Sequence, residues 1–224
     1  RNDVDLHAIL HPAKEVGGDL YDFYMDGNHL YFLIGDVSGK GVPASLFMAI
    51  TRSLFRTLSQ HVLSPAKIVT EMNNSISDNN ESNMFVTLIV GILDLETGIL
   101  KLCNAGHNPP ILIYPDGQVS YLEFKTQIFV GVVEDFKYSD EEVVLEKESK
   151  LFLYTDGVTE AENINKELYG EEKLLEMLSD NASSDVRTTV NVVVDSIASH
   201  VKEAEASDDL TILLIQYEPG TANS

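Results

Sequence analysis

The chain of 224 residues has a single cysteine, Cys103, so no internal disulfide can form. That fits a reducing, intracellular compartment. Cys103 lies in the strand-like run Leu100-Lys101-Leu102-Cys103 and reads as a small core residue rather than a nucleophile. Basic residues are scarce: 15 Lys and Arg stand against 36 Asp and Glu, a formal net charge of −21. Nucleic acid and anionic membranes are polyanions, so neither suits this chain as a main partner. No signal peptide is visible, and no apolar run approaches the ~20 residues of a membrane helix. Repeats, linkers and low-complexity tracts are missing too. The Asp-x-Asp-x-Asp-Gly loop of a structural Ca²⁺ protein does not occur.

What is present is enough for one domain. At 44% hydrophobic, the chain can bury a proper core. Residues 1–218 read as that domain and 219–224 as a tail. Because the chain begins at Arg1 rather than Met, it reads as part of a longer protein. The missing part would hold a sensor or a membrane anchor, with this domain in the cytoplasm.

Strand signals dominate the first third. Val4 to Leu10 alternates; Leu20 to Met25 and His29 to Ile34 flank the turn Asp26-Gly27-Asn28. An antiparallel hairpin here would set Asp19 beside Asp36. A helical period follows from Val42 to His61, with Leu46, Ile50, Leu54 and Leu58 every four residues, and a second from Ser64 to Asn79. Strands resume at Phe85–Asp94, Ile99–Asn104, Pro110–Tyr114, Val119–Phe124, Val143–Glu146 and Leu151–Tyr154. Helices Glu171–Leu178 and Val186–Val201 precede a last strand, Leu210–Tyr217. Many antiparallel strands with two helix pairs between them predict an α+β fold: two antiparallel sheets packed as a sandwich with flanking helices.

Aspartates recur at the strand ends: Asp19 in Glu15-Val16-Gly17-Gly18-Asp19, Asp36 in Ile34-Gly35-Asp36-Val37-Ser38-Gly39-Lys40-Gly41, Asp156 in Tyr154-Thr155-Asp156-Gly157, and Asp208-Asp209 before Leu210. Singly, each has an ordinary reading, as a helix cap, an Asp-Gly turn or a solvated strand start. Together they offer what hard divalent cations need, carboxylates beside glycines that let the backbone come close. Two such cations could activate a water for attack on phosphorus. Nucleotide readings of the Asp36 loop fail on detail. Gly35 to Lys40 is one residue short of a phosphate loop, and Gly41 stands where Ser or Thr is required. A dinucleotide fold would need an acid about 20 residues on, where the chain reads Leu63-Ser64-Pro65.

Five ordered segments carry a resemblance: Glu15 to Asp22, Gly35 to Ala44, Asn104-Ala105-Gly106-His107-Asn108-Pro109-Pro110, Leu153 to Glu160, and Asp208-Asp209-Leu210-Thr211. They resemble the motifs of SpoIIE/RsbU-type bacterial phosphatases, a branch of the metal-dependent protein Ser/Thr phosphatase (PPM) superfamily. The resemblance implies two Mn²⁺ or Mg²⁺ ions at one edge of the sandwich. It makes Asp36 the bridging ligand and gives Asp36 and Asp156 the catalytic part. The Val37 carbonyl, Asp19, Asp156 and the Asp208-Asp209 pair complete the metal set, Asp208 taking the ligand place of the pair. Lys40 is the candidate for the substrate phosphate.

The family pattern also departs here. No His follows Asp36 and no Arg precedes Asp19, so no leaving-group acid is assigned. His107 reads as structural, its neutral ring orienting a turn. As partners, the resemblance implies a phosphorylated regulator of the anti-sigma-factor-antagonist (STAS) fold and an upstream sensory segment, with a homodimer left open. The two helices after the Asp36 loop would act as a switch. The alternative function is a catalytically silent binding module of the same fold.

Overall fold

A computed structural model describes residues 3–78, 80 and 83–219 of the chain. Asn79 and most of the expected 219–224 tail lie outside the described residues. Eleven strands and four α-helices form among those described. One sheet has the order β1 (Val4–His11), β11 (Leu210–Tyr217), β10 (Lys150–Tyr154), β6 (Ile111–Ile113), β7 (Val119–Tyr121). The other runs β2 (Leu20–Asp26), β3 (His29–Val37), β4 (Val86–Asp94), β5 (Ile99–Ala105), β8 (Thr126–Gln127), with β9 (Glu141–Val144) also on β5. Every pairing between strands is antiparallel except β5 with the two-residue β8, which no sequence pattern announced.

Strand alternation builds the layers. In β3, Leu30, Phe32 and Ile34 face Leu151 and Leu153 of β10 and Leu213 and Ile215 of β11, making the core between the sheets. The intervening Tyr31 and Leu33 face the other way, onto Phe55 of α1 (Val42–Leu58) and Ile68, Val69 and Met72 of α2 (Pro65–Ser77). On the far sheet, Phe152, Tyr154, Ile212 and Leu214 turn out to meet Leu174 of α3 (Glu171–Asp180) and Val190, Val193 and Ile197 of α4 (Val186–Val201). The result is the expected helix–sheet–sheet–helix stack. Each strand residue buries one face or the other because successive side chains alternate.

Helix ends follow local chemistry. Ser64 is the N-cap of α2 rather than its first residue: its Oγ accepts from the Lys67 N–H, and Pro65 occupies the first turn. α1 stops at Leu58, short of the expected His61, which takes φ 59°. The sequence stripe on α1 is also shifted. Ala44, Thr51 and Phe55 are buried, whereas Leu46 and Ile50 are 62% and 56% exposed. No helix among the described residues is long and apolar enough to cross a membrane.

Candidate metal centre

The acidic segments meet where the two sheets share an edge. In the β2–β3 hairpin Leu20 pairs with Gly35, which sets Asp19 next to Asp36 as the hairpin reading requires. In the other sheet His11 of β1 pairs with Leu210, and the Thr155 N–H donates to the Thr211 carbonyl (3.1 Å). The end of β1, Asp156 and the Asp208-Asp209 pair are therefore neighbours. The chain from His11 to Leu20 crosses from one sheet to the other, carrying Gly17-Gly18-Asp19 between them.

Glycine is needed where these segments touch. A Cβ on Gly18 would stand 2.9 Å from the Val37 carbonyl oxygen and 3.5 Å from Asp36 Oδ1. One on Gly157 would collide with the Asp209 backbone. The backbone can approach the carboxylates only because these side chains are missing. Between the segments lies a small cleft of about 20 Å³, room for one water-sized occupant. Gly17, Gly18, Asp36, Lys40, Ser207 and Asp208 line it.

Each aspartate has its own environment. Asp19 is buried, and its Oδ2 accepts from the hydroxyls of Thr155 (2.7 Å) and Thr211 (2.6 Å). Burial pushes its carboxyl up to about 8, with the two threonine bonds opposing and the charges of Asp36 and Asp209 reinforcing the shift. Asp36 is pushed up to about 7, first by burial and then by the negative charges of Asp156 and Asp208. Asp156 is raised as well, by burial, Glu160 and Asp208. It does not line the small cleft, and it joins the group through this mutual repulsion. Burial and crowded negative charge let Asp19 and Asp36 keep protons near neutral pH.

The Asp208-Asp209 pair divides its work. Asp209 Oδ1 accepts from the Ala13 N–H (2.8 Å), and Oδ2 from those of Gly18 (2.8 Å) and Asp19 (3.3 Å). Both oxygens thus hold the crossing loop in place. Asp208 Oδ2 instead meets the Lys40 ammonium at 2.9 Å. That contact is the first reason the lysine stays protonated to higher pH than usual, with further support from the charges of Asp209 and Asp156.

The donor set suits a hard dication: oxygens alone, two of the carboxyls raised to about 7 and about 8, on a backbone stripped of side chains. Among the described residues no three His, Cys, Asp or Glu side chains stand close enough to hold an ion as they are. At Asp208 the Lys40 ammonium already offsets the charge.

Other residues settle into supporting parts. His107 is buried, with Nδ1 2.9 Å from the Thr87 hydroxyl and its backbone N–H and carbonyl both bonded to the Asn104 side chain. Nε2 makes no hydrogen bond of normal geometry, although the nearby Tyr154 backbone acts on its titration. Burial lowers its pKa to about 4, so the ring is neutral and shut away from any substrate. Cys103 is buried and its thiol pushed far up by burial, which leaves no thiolate.

Sequence reasoning missed Thr155 and Thr211, the hydrogen-bond donors to Asp19. The signal was there: Thr155 directly precedes Asp156, and Thr211 stands two residues after Asp209, at the start of β11. It also missed Ser45, whose Oγ donates to the Gly17 carbonyl (2.8 Å) and ties α1 to the crossing loop.

The fold is that of PP2C-type phosphatase domains. The SiaA PP2C domain of Pseudomonas aeruginosa superposes with a TM-score of 0.85 at 22% identity, over 95% of this chain and 86% of that one. The RsbU and RsbW domains of a Mycobacterium tuberculosis protein give 0.84 at 24% identity, over 98% of this chain and 61% of that one. The model of the family Stage II sporulation protein E (SpoIIE) matches residues 26–218, and the chain belongs to that family. Among curated relatives, phosphoserine phosphatase RsbU of Bacillus subtilis is 27% identical over 95% of this chain and 63% of its own length. Protein IcfG of Synechocystis is 27% identical over 94% of this chain and 37% of its own length. The chain therefore spans between about a third and two thirds of the curated relatives it matches.

Proposed function

We propose that the chain is a metal-dependent protein serine/threonine phosphatase acting on a phosphorylated regulatory protein, with STAS-fold anti-sigma-factor antagonists as the substrate class. The observation that carries this reading is the group of Asp19, Asp36 and Asp156, all raised, with Asp208 among the charges that raise Asp36 and Asp156, at one edge of a PP2C-type sandwich. Membership of the SpoIIE family and the phosphoserine phosphatases RsbU and RsbP among its relatives support it.

Asp36 would bridge two Mn²⁺ or Mg²⁺ ions, with the Val37 carbonyl, Asp156 and Asp208 as further ligands. Bound there, the ions would supply a water acidified to hydroxide near neutral pH and positive charge for the phosphoryl oxygens. Asp19 has one oxygen held by two threonine hydroxyls, and its side chain interacts with that of Asp36. Asp209, the other member of the pair, would act by shaping the loop that bears Asp19, its oxygens accepting from three backbone N–H groups. Lys40 and Lys14 both line the cleft, and Lys40 would be the cation that meets a substrate phosphate.

The test is phosphate release from a phosphoserine-bearing STAS-type protein. Release is expected with Mn²⁺ and none with EDTA. No release with Mn²⁺ from this substrate or from p-nitrophenyl phosphate would leave a silent binding module as the reading.

A further inference from the structure

Lys40 lies between Gly39 (φ 88°) and Gly41 (φ 77°), on the loop joining β3 of one sheet to α1. Its side chain reaches over the cleft to the segment that leads into β11 of the other sheet. There Nζ donates to Asp208 Oδ2 at 2.9 Å and to the Ser207 carbonyl at 2.8 Å. A carboxylate and a carbonyl side by side are the donor pair that a hard dication also takes. The Lys40 and Asp208 side chains are each about half exposed, at 56% and 41%, so water can replace the contact without opening the fold.

We infer that Lys40 is an internal counter-cation: its ammonium occupies the Asp208 end of the cleft in the metal-free protein and has to leave Asp208 before a dication can be held there. The inference rests on the proposed role of Asp208 as a metal ligand. It has two consequences. Lys40 weakens metal binding at that position, because its own ion pair is lost when metal arrives. And the displaced ammonium, still on its short glycine-flanked loop beside the cleft, becomes free for a phosphate only once metal is bound. Metal loading would thereby precede and enable recognition of the substrate's phosphate.

The experiment is titration of Mn²⁺ into metal-stripped protein at low ionic strength, read by calorimetry and by the EPR signal of free Mn²⁺, for wild type, K40M, K40R and D208N. An exposed ion pair sets the scale, so K40M is expected to bind about two- to fivefold more tightly than wild type. K40R keeps the charge and is expected to stay near wild type. D208N is expected to bind more weakly. In EDTA, K40M should melt below wild type, since the acidic cluster has lost its counter-charge, and Mn²⁺ should close that gap.

Equal or weaker Mn²⁺ affinity in K40M overturns the inference, as does tightening in K40R equal to that in K40M. Either result leaves the phosphatase reading in place as long as wild type binds Mn²⁺ and D208N binds it less well. Undiminished binding by D208N would remove Asp208 from the metal centre and the inference with it.

Discussion

Asp19 and Asp22 are three residues apart, both are buried, and they titrate in opposite directions. The Asp22 carboxylate accepts from Arg56 Nε (2.6 Å) and Nη2 (2.5 Å), with Arg52 Nε at 3.2 Å. Burial alone would raise it, but the two arginines outweigh burial and hold it below the usual carboxylate range. Arg56 also donates to the Phe23 carbonyl and lies over the Tyr24 ring at 4.7 Å, which fastens α1 to β2. Asp19 interacts instead with the hydroxyls of Thr155 and Thr211 and the carboxylates of Asp36 and Asp209, and rises to about 8. One buried charge is balanced by the chain itself and serves the fold. The other sits among carboxylates and threonine hydroxyls, the setting that the proposed metal centre needs.

The most direct way to break this contrast is Asp36→Asn. Turnover of p-nitrophenyl phosphate with Mn²⁺ should fall on the order of a thousandfold, since metal-centred charge stabilisation is worth several kcal/mol. The metal-free variant should melt no lower than wild type, because a crowded negative charge has gone. Wild-type turnover would remove Asp36 from the metal centre.

Arg56→Met should do the reverse. Asp22 would lose its bidentate partner while keeping Arg52. Breaking a fully buried pair costs about 3–5 kcal/mol; the half-exposed arginine and the remaining Arg52 bring that down to about 2 kcal/mol, read by urea unfolding. The loss should be the same with and without Mn²⁺, and an effect confined to the Mn²⁺-loaded form would contradict the division drawn here.

A pH series sharpens the comparison further. The unfolded chain releases the protons of Asp19 and Asp36 near pH 3.8, whereas the folded, metal-free protein keeps them to about 8 and about 7. Between these limits the folded state binds more protons than the unfolded state, so stability from these groups falls as pH rises. His107 works the other way. Its folded pKa of about 4 lies below its usual 6.5, so its contribution is complete above 6.5 and drains away as pH drops toward 4. The gain in melting temperature on adding Mn²⁺ should therefore be larger at pH 8 than at pH 6, for the cation binds the carboxylates without first displacing their protons. A gain that shrinks with rising pH would count against carboxylate ligands. The smallest effect belongs to Cys103→Ala: turnover within about twofold of wild type, at a cost of roughly 1 kcal/mol for a small buried cavity.

Much of this was legible in the chain. Strand alternation and turn tripeptides located nearly every strand, and the bounds of β11 and α4 agree to the residue. The hairpin pattern alone predicted that Asp19 and Asp36 are neighbours, because an antiparallel turn fixes register. Which side of α1 is buried was harder. Leu46 and Ile50 share the helical period of Leu54 and Leu58, yet face solvent while Thr51 and Phe55 lie inside. A helix records periodicity in its sequence, but the rotation that packs it is set by the sheet beneath.

Sequence by itself determined the strands, the turns and the acidic residues at their ends, because those depend on local backbone preference and the alternation of apolar side chains. Only the tertiary structure decided what each acid does. Asp208 and Asp209 are adjacent and chemically identical, but one carboxylate meets an ammonium and the other clasps three backbone N–H groups. A carboxylate's role follows from the donors and charges around it, and these arrive from segments up to 196 residues away.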